Sequence, residues 1–159
     1  MDIVGLYELF LAHPLVTTDT RKLVPGSIYV ALKGENFNGN RFALQALEQG
    51  ATYAIVDEPI EGHDERIIQV EDALQTLQEL AGYHRRQFSI PFIAITGSNG
   101  KTTTKELVSA VLASHFNTYT TQGNLNNHIG IPLTLLRVGK DAEMAVIEMG
   151  ANHQQEIAG

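Results

Sequence analysis

The sequence predicts an α/β fold, with parallel sheets covered by helices, and three observations predict it. Apolar runs of strand length alternate with stretches of helical periodicity along the chain. The runs SIYVAL (27–32), FIAIT (92–96) and EMAVIEM (143–149) are nearly continuous in apolar residues, as strands buried on both faces are. A Gly-rich turn then joins one such run directly to a helical segment at Lys101.

The elements follow in order. Ile3, Leu6, Tyr7, Phe10 and Leu11 recur at helical spacing, so a short amphipathic helix opens the chain and ends near His13-Pro14. Residues 16–25 are polar and turn-rich. Residues 27–32 form a buried strand, and KGENFNGN (33–40) is a Gly- and Asn-dense loop. A helix over 41–49 ends at Gly50, placed as its C-terminal cap. Strands over 52–56 and 67–70 flank a turn at 59–64, and a helix from Asp72 to about Arg86 buries Leu74, Leu77, Leu80 and Ala81.

The second half repeats the pattern. Gln87 to Pro91 is a boundary, where a helix ends in basic residues and then proline. A buried strand (92–96) leads through 97–100 into a helix over 101–115, whose buried face is expected to be Leu107, Val108, Val111 and Leu112. A short strand (118–121), a helix-like stretch (127–137) with Pro132 near its first turn, and a buried strand (143–149) complete the reading.

Composition narrows the function. The chain of 159 residues is 43% hydrophobic and 18% charged, a globular balance. It has no cysteine, which excludes disulfides, zinc–thiolate centres and cysteine nucleophiles. The formal net charge of -7 argues against non-specific nucleic-acid binding. No apolar run is long enough to span a membrane, and residues 1–12 lack the basic start of a secretory signal, so a cytoplasmic location is the default. An anionic ligand must be held locally, by backbone N–H groups and a few placed cations.

Four segments are candidates for ligand contact. Gly97, Ser98, Asn99, Gly100, Lys101, Thr102 and Thr103 lie between a strand and a helix, the context of a phosphate-cradling loop. Consecutive N–H groups form an anion nest, Lys101 reaches the β- and γ-phosphates of ATP, and the Thr102 hydroxyl ligates Mg²⁺. The loop is G-x-x-G-K-T, shorter than the standard phosphate loop, since Ile95 stands where the longer motif has glycine. Asn126 and Asn127, in GNLNNHIGIP (123–132), serve either as neutral donors to phosphate or carboxylate, or as helix caps. Glu148 ends an apolar strand, where open parallel sheets bind ligands, and is a candidate Mg²⁺ ligand; Asn152 and His153 follow as weaker candidates. In the first half, Thr18, Asp19 and Arg21 offer an anion site, or Asp19 makes an Asx turn with Arg21 as its surface partner. By residues alone, the loop also fits a small-molecule kinase or a nucleotide-binding segment without catalysis.

Five stretches together resemble the Mur ligases, the ATP-dependent amide ligases that build the peptide of the bacterial cell-wall precursor. They are TTDTRK (17–22), PGSIYVALKGENFNGN (25–40), ITGSNGKTTTKE (95–106), TQGNLNNHIGIPLTLL (121–136) and AVIEMGANH (145–153). The pairing of FNGN with GNLNNHIGIPLTLL is similar to the branch that adds D-alanyl-D-alanine to UDP-N-acetylmuramoyl-tripeptide. The resemblance implies a small α/β domain (1–88) that holds the uridine nucleotide, followed by part of a parallel-sheet ATPase domain (89–159). It implies that ATP phosphorylates the tripeptide carboxylate and that the amine of D-alanyl-D-alanine attacks the acyl phosphate. Carried over by position, Lys101 and Glu148 are catalytic, residues 97–103 bind ATP, and Thr102 and Glu148 hold Mg²⁺. Asn126 and Asn127 face the nucleotide or the muramyl substrate, and Thr18, Asp19, Arg21, Asn38 and Gly39 line the uridine-nucleotide pocket. Family members continue past the equivalent of residue 159 into a third, amine-binding domain, so these residues by themselves are expected not to ligate.

Overall fold

The structure is a computed structural model that describes residues 1–62 and 64–150. Two compact units divide the chain, Met1–Tyr83 and a second beginning at His84.

In the first unit, α1 (Ile3–Ala12) starts on Asp2, whose carboxylate accepts the Gly5 N–H at 2.9 Å. That bond satisfies one of the donors every helix start leaves open. Four parallel strands follow in the order β1 (Val16–Thr17), β2 (Ile28–Val30), β5 (Tyr53–Val56), β6 (Ile67–Gln69). Between β2 and β5 lie a two-stranded antiparallel hairpin, β3 (Lys33–Gly34) and β4 (Phe37–Asn38), a 3-10 turn (Gly39–Phe42) and α2 (Ala43–Glu48). The last helix of the unit is α3 (Ala73–Arg86), whose end passes into the second unit.

Alternation sorts the strand residues onto two faces. Tyr29, Ala31, Ala54 and Val56 pack with Ala43, Ala46 and Leu47 of α2. Ile28, Val30 and Ile55 point the other way and are as fully buried, while Leu6 and Phe10 of α1 and Leu77 and Leu80 of α3 are buried on their helices. Tyr7 and Tyr83 bring α1 and α3 into ring contact at 4.9 Å. Small residues dominate the α2 side, which lets that short helix lie close to the sheet.

Two readings of this half change. The polar stretch after Pro14 contains an edge strand, β1, and KGENFNGN holds a hairpin rather than an open loop. A two-residue strand pairs by backbone hydrogen bonds alone, so it leaves no hydrophobic period to detect.

The second unit holds three parallel strands, β7 (Phe92–Ile95), β8 (Thr118–Thr120) and β9 (Met144–Glu148), in the order β7-β9-β8. α4 (Lys101–Ala113) follows β7, and α5 (Gly130–Arg137) precedes β9. Central β9 is buried from Ala145 to Glu148. β7 lies at an edge among the described residues and is only half-buried, with Ala94 exposed, so the expected full burial of 92–96 does not hold there. On one face of β9, Ala145 and Ile147 pack with Val138 and Ala142, with Phe92 and Leu135 against them.

The expected buried face of α4 needs correction. Leu107 and Val111 are 64% and 71% exposed, whereas Lys105 and Ser109 are buried. Lys105 donates to Thr121 O at 2.9 Å and Ser109 to Thr120 Oγ1 at 2.9 Å. Val108 and Leu112 of the expected face are half-buried beside them, so the inward side carries two polar residues with partners from outside the helix as well as these two apolar ones. A hydrophobic period cannot register such polar partners, and it extended the expected face to Leu107 and Val111 instead.

Candidate functional site

The site of the second unit is built at the carboxyl ends of its three strands. Parallel pairing sets Ile95 beside Glu148 and Thr120 beside Val146, so the exits of β7, β8 and the end of β9 share one edge. Ligands of open parallel sheets sit at that edge.

The loop after β7 turns on two glycines at positive φ, Gly97 (145°) and Gly100 (74°). Gly100 is the N-cap of α4 and, having no side chain, makes no capping bond. The first N–H groups of a 13-residue helix are thus left for an outside acceptor. Lys101 Nζ folds back to its own loop, donating to Gly97 O at 2.6 Å. Ser98 and Asn99 are exposed, with Thr102 and Thr103 in the first turn of the helix.

Glu148 anchors the other side. It is 1% exposed, and its carboxylate accepts from Asn126 Nδ2 at 2.9 Å and from Thr102 Oγ1 at 3.2 and 3.3 Å. Its backbone N–H donates to Thr121 Oγ1 at 2.9 Å, and the Lys105 ammonium stands 3.8 Å from Oε2. Gly150 closes over Asn126, with its N–H donating to Asn126 O at 2.6 Å and no room for a side chain larger than hydrogen without displacing the amide.

The structure therefore brings together Lys101, Thr102, Asn126 and Glu148, from three separate segments. Asn127 is used differently, since its Oδ1 accepts the N–H groups of Ile129 and Gly130 at 3.1 and 2.7 Å and caps α5. Sequence reasoning passed over Lys105 and Thr121. The available signal was spacing, since Lys105 lies one helical turn after Lys101 on the same side. Asn152 and His153 lie outside the described residues.

Thr102 and Glu148 fit a magnesium ion by donor chemistry, since a hydroxyl and a carboxylate already converge and Mg²⁺ prefers oxygen. Among the described residues no group of three or more His, Asp or Glu side chains converges to cage a metal. Such a cation would take its remaining ligands from phosphate and water, as Mg²⁺ at nucleotide sites does.

The first unit offers a second place. A cavity of about 520 Å³ is lined by Thr18, Asp19, Thr20, Arg21, Phe37 and Phe42. Asp19 forms the Asx turn: its carboxylate accepts Arg21 N at 2.9 Å and both Nε and Nη2 of the same arginine at 3.0 and 2.9 Å. The Arg21 hydrogen bonds hold the Asp19 carboxyl below the usual range. Phe37 and Phe42 stack at 5.5 Å, and Phe37 stays half-exposed as a flat apolar wall.

Asn38 and Gly39 do not line that cavity. Asn38 Oδ1 accepts Asn40 N at 3.0 Å, and its amide donates to Glu58 at 2.9 Å. Gly39 is buried, with its carbonyl taking the Tyr29 hydroxyl at 2.9 Å. Burial first, and the Asp19 charge second, push that phenol up to about 12. A larger depression of about 650 Å³ elsewhere in this unit is rimmed by Asp2, Glu71, Asp72 and Glu79 and has no basic side chain, which disfavours an anionic ligand.

Known proteins match both units. Residues 14–85 match a family model described as the Mur ligase family, catalytic domain, and residues 95–159 match the Mur ligase middle domain. The UDP-N-acetylmuramoyl-tripeptide–D-alanyl-D-alanine ligase of Escherichia coli is 50% identical over 143 residues, which cover 90% of this chain and 31% of that protein. Crystal structure I of MurF from Acinetobacter baumannii superposes with a TM-score of 0.85 at 38% identity, over 94% of this chain and 36% of that one. MurF ligase from Thermotoga maritima, solved in complex with ADP, gives 0.83 at 34% identity over 93% and 34%. The chain thus spans about a third of the length of the relatives it matches. With both segments matched to Mur ligase models, over residues 14–85 and 95–159, the chain belongs to the Mur ligase family.

Proposed function

We propose that the chain carries the ATP site and the uridine-nucleotide site of a ligase that joins D-alanyl-D-alanine to UDP-N-acetylmuramoyl-tripeptide in peptidoglycan precursor synthesis. The observation that carries this reading is the convergence of Thr102 on Glu148 beside an uncapped helix start and Lys101. The relatives named for that reaction support it.

The chemistry suits the residues. Two anions, a carboxylate and the γ-phosphate of ATP, must be brought together, which demands positive charge and fixed positions. Lys101 exchanges its Gly97 carbonyl for a phosphate oxygen, and the loop N–H groups receive the rest of the phosphate charge. Mg²⁺, when bound by Thr102 and Glu148, neutralises phosphate charge. Asn126 keeps Glu148 oriented, and Asn127 serves the substrate only through the turn it holds at the start of α5. Carboxylate oxygen takes the γ-phosphoryl group and ADP departs. The amine of D-alanyl-D-alanine then forms the C–N bond as phosphate leaves and the amine proton passes to solvent.

Residues 1–88 hold the uridine nucleotide in this reading, and residues 89–159 hold ATP. The half-exposed Phe37 face suits a planar base, and the Arg21 guanidinium with the Thr18 hydroxyl in the same cavity suits an anionic group; Asn38 and Gly39 lie outside its lining and shape the adjoining backbone. ATP and UDP-linked precursors are cytoplasmic compounds, so the proposed reaction belongs to the cytoplasm. Among the described residues no helix is long and apolar enough to cross a membrane.

Calorimetry with ADP, with and without Mg²⁺, tests the ATP site. The wild-type chain is expected to bind ADP more tightly with Mg²⁺, and Glu148→Gln to lose that enhancement. Equal enhancement in Glu148→Gln removes Glu148 from the metal site.

A further inference from the structure

Lys105 is a buried cation that the proposed reaction does not use. Its side chain is 2% exposed, and its Nζ donates to Thr121 O at 2.9 Å, lies 3.1 Å from Glu106 Oε1 and lies 3.8 Å from Glu148 Oε2. Glu106 is 66% exposed and its charge is screened by water, so it compensates the ammonium weakly. Glu148 is the carboxylate that shares the buried space. Each ion would be costly to bury by itself, and the pair makes both tolerable. The ammonium stands nearest Oε2, Asn126 donates to Oε1, and the Thr102 hydroxyl at the start of α4 reaches both oxygens.

We propose that Lys105 is the internal counter-ion of Glu148, which withholds that carboxylate from divalent cations until a nucleotide supplies further negative charge. The inference rests on Glu148 being the metal ligand. A fixed positive charge about 4 Å from the ligating oxygens opposes a second cation there, and the low dielectric of a buried site strengthens the effect. The phosphates of a nucleotide reverse the balance. Metal therefore enters with the nucleotide rather than before it. Lys105 acts through Glu148 and touches no substrate, so it is a positioning residue.

The sign of the effect separates this role from a merely structural one. Mn²⁺, read by loss of the free-ion paramagnetic resonance signal, stands in for Mg²⁺. Lys105→Met keeps most of the length and removes the charge. Without nucleotide, the variant is expected to bind Mn²⁺ at least about tenfold more tightly than wild type. Lys105→Arg should stay within about threefold, and Lys105→Met with Glu148→Gln should lose the gain. A packing role predicts unchanged or weaker Mn²⁺ binding in Lys105→Met, and that result overturns the proposal. Should Lys105→Met unfold, millimolar Mn²⁺ is expected to restore the fold, and only while Glu148 is present; failure of that rescue overturns it equally. If wild type binds neither ADP nor Mn²⁺ with ADP, the nucleotide-site reading itself fails. If wild type binds both and Lys105→Met matches it without nucleotide, only the counter-ion role fails.

Discussion

Lys101 and Gly39 show how differently single residues carry this structure. The Lys101 ammonium donates to a carbonyl of its own loop, Gly97 O, at a surface edge. Removing it costs little to the fold and much to a bound phosphate. Lys101→Ala is expected to weaken ADP binding ten- to a hundredfold, since a hydrogen bond to a charged group is worth roughly 1.5–3 kcal/mol. The melting temperature should stay within a degree or two of wild type; isothermal titration and a thermal scan check the two halves of the statement. An unchanged ADP affinity removes Lys101 from the site. Gly39 is the opposite case. A Cβ there would lie 2.7 Å from Leu32 O and 2.9 Å from Leu32 N, backbone atoms that cannot swing aside. Gly39→Ala should therefore destabilise the first unit by about 1–3 kcal/mol, seen as a lower urea midpoint with little change in slope.

At the scale of elements, α4 is the informative helix. Its inward line is Lys105 and Ser109, and its outer line carries Leu107 and Val111. Val111→Lys is accordingly expected to change stability by no more than about 0.5 kcal/mol, as surface substitutions do. Leu77→Ala in α3, at 1% exposure, should cost about 2–5 kcal/mol. Equilibrium denaturation of Val111→Lys tests which line of α4 faces the sheet, with Leu77→Ala as the buried-residue control. A large loss in Val111→Lys means that Val111 is buried after all. Elements of the first unit are tied by a polar knot as well. Asp57 accepts from Asn40 Nδ2 at 2.8 Å and from the Ala73 N–H at 3.2 Å, and it pairs with Lys33 at 3.1 Å. Burial pushes its carboxyl up, but the Asn40 amide, the Ala73 N–H and Lys33 together carry it below the ordinary range. One carboxylate thus joins the hairpin, the 3-10 turn and the start of α3.

For the whole molecule, pH dependence reports on a different group. His84 is buried in the second unit, with its Nε2 2.8 Å from Val138 O and its ring edge-on to Phe88 at 4.9 Å. Burial lowers its pKa below 6.5, against a smaller opposing pull from the Val138 carbonyl. A lowered pKa in a base means that the unfolded chain takes the proton first. The stabilisation is therefore complete above about pH 6.5 and is lost as pH falls below it, toward the folded value. The depressed carboxylates Asp57 and Asp19 act lower, below about pH 4, which separates the two windows. The melting temperature is expected to fall between pH 7 and pH 5, and His84→Gln should flatten that decline while lowering the plateau. An equal decline in the variant assigns the effect to other groups.

What the residues by themselves determined is the strands, helices and turns that leave a local pattern, though not the short β3–β4 hairpin. Apolar runs of strand length placed β2, β5 and β9, because a strand buried on both faces is apolar nearly throughout, and placed β7 as a strand although it is only half-buried. The Gly-Gly-Lys-Thr spacing placed the tight strand-to-helix turn at 97–100, because glycine holds φ at 74° or 145° without strain, and a helix start follows. The asparagine ambiguity and the partners of Glu148 needed the tertiary structure. Asn126 and Asn127 are adjacent, yet one turns to Glu148 and the other caps α5, and only the path of the chain chooses between them. Lys105 was hidden for the same reason. A lysine on a helix reads as a solvated charge until the fold brings Thr121 and Glu148, from 16 and 43 residues away, to its ammonium. Long-range polar partners carry no period in the sequence, so their pairing is decided by the fold alone.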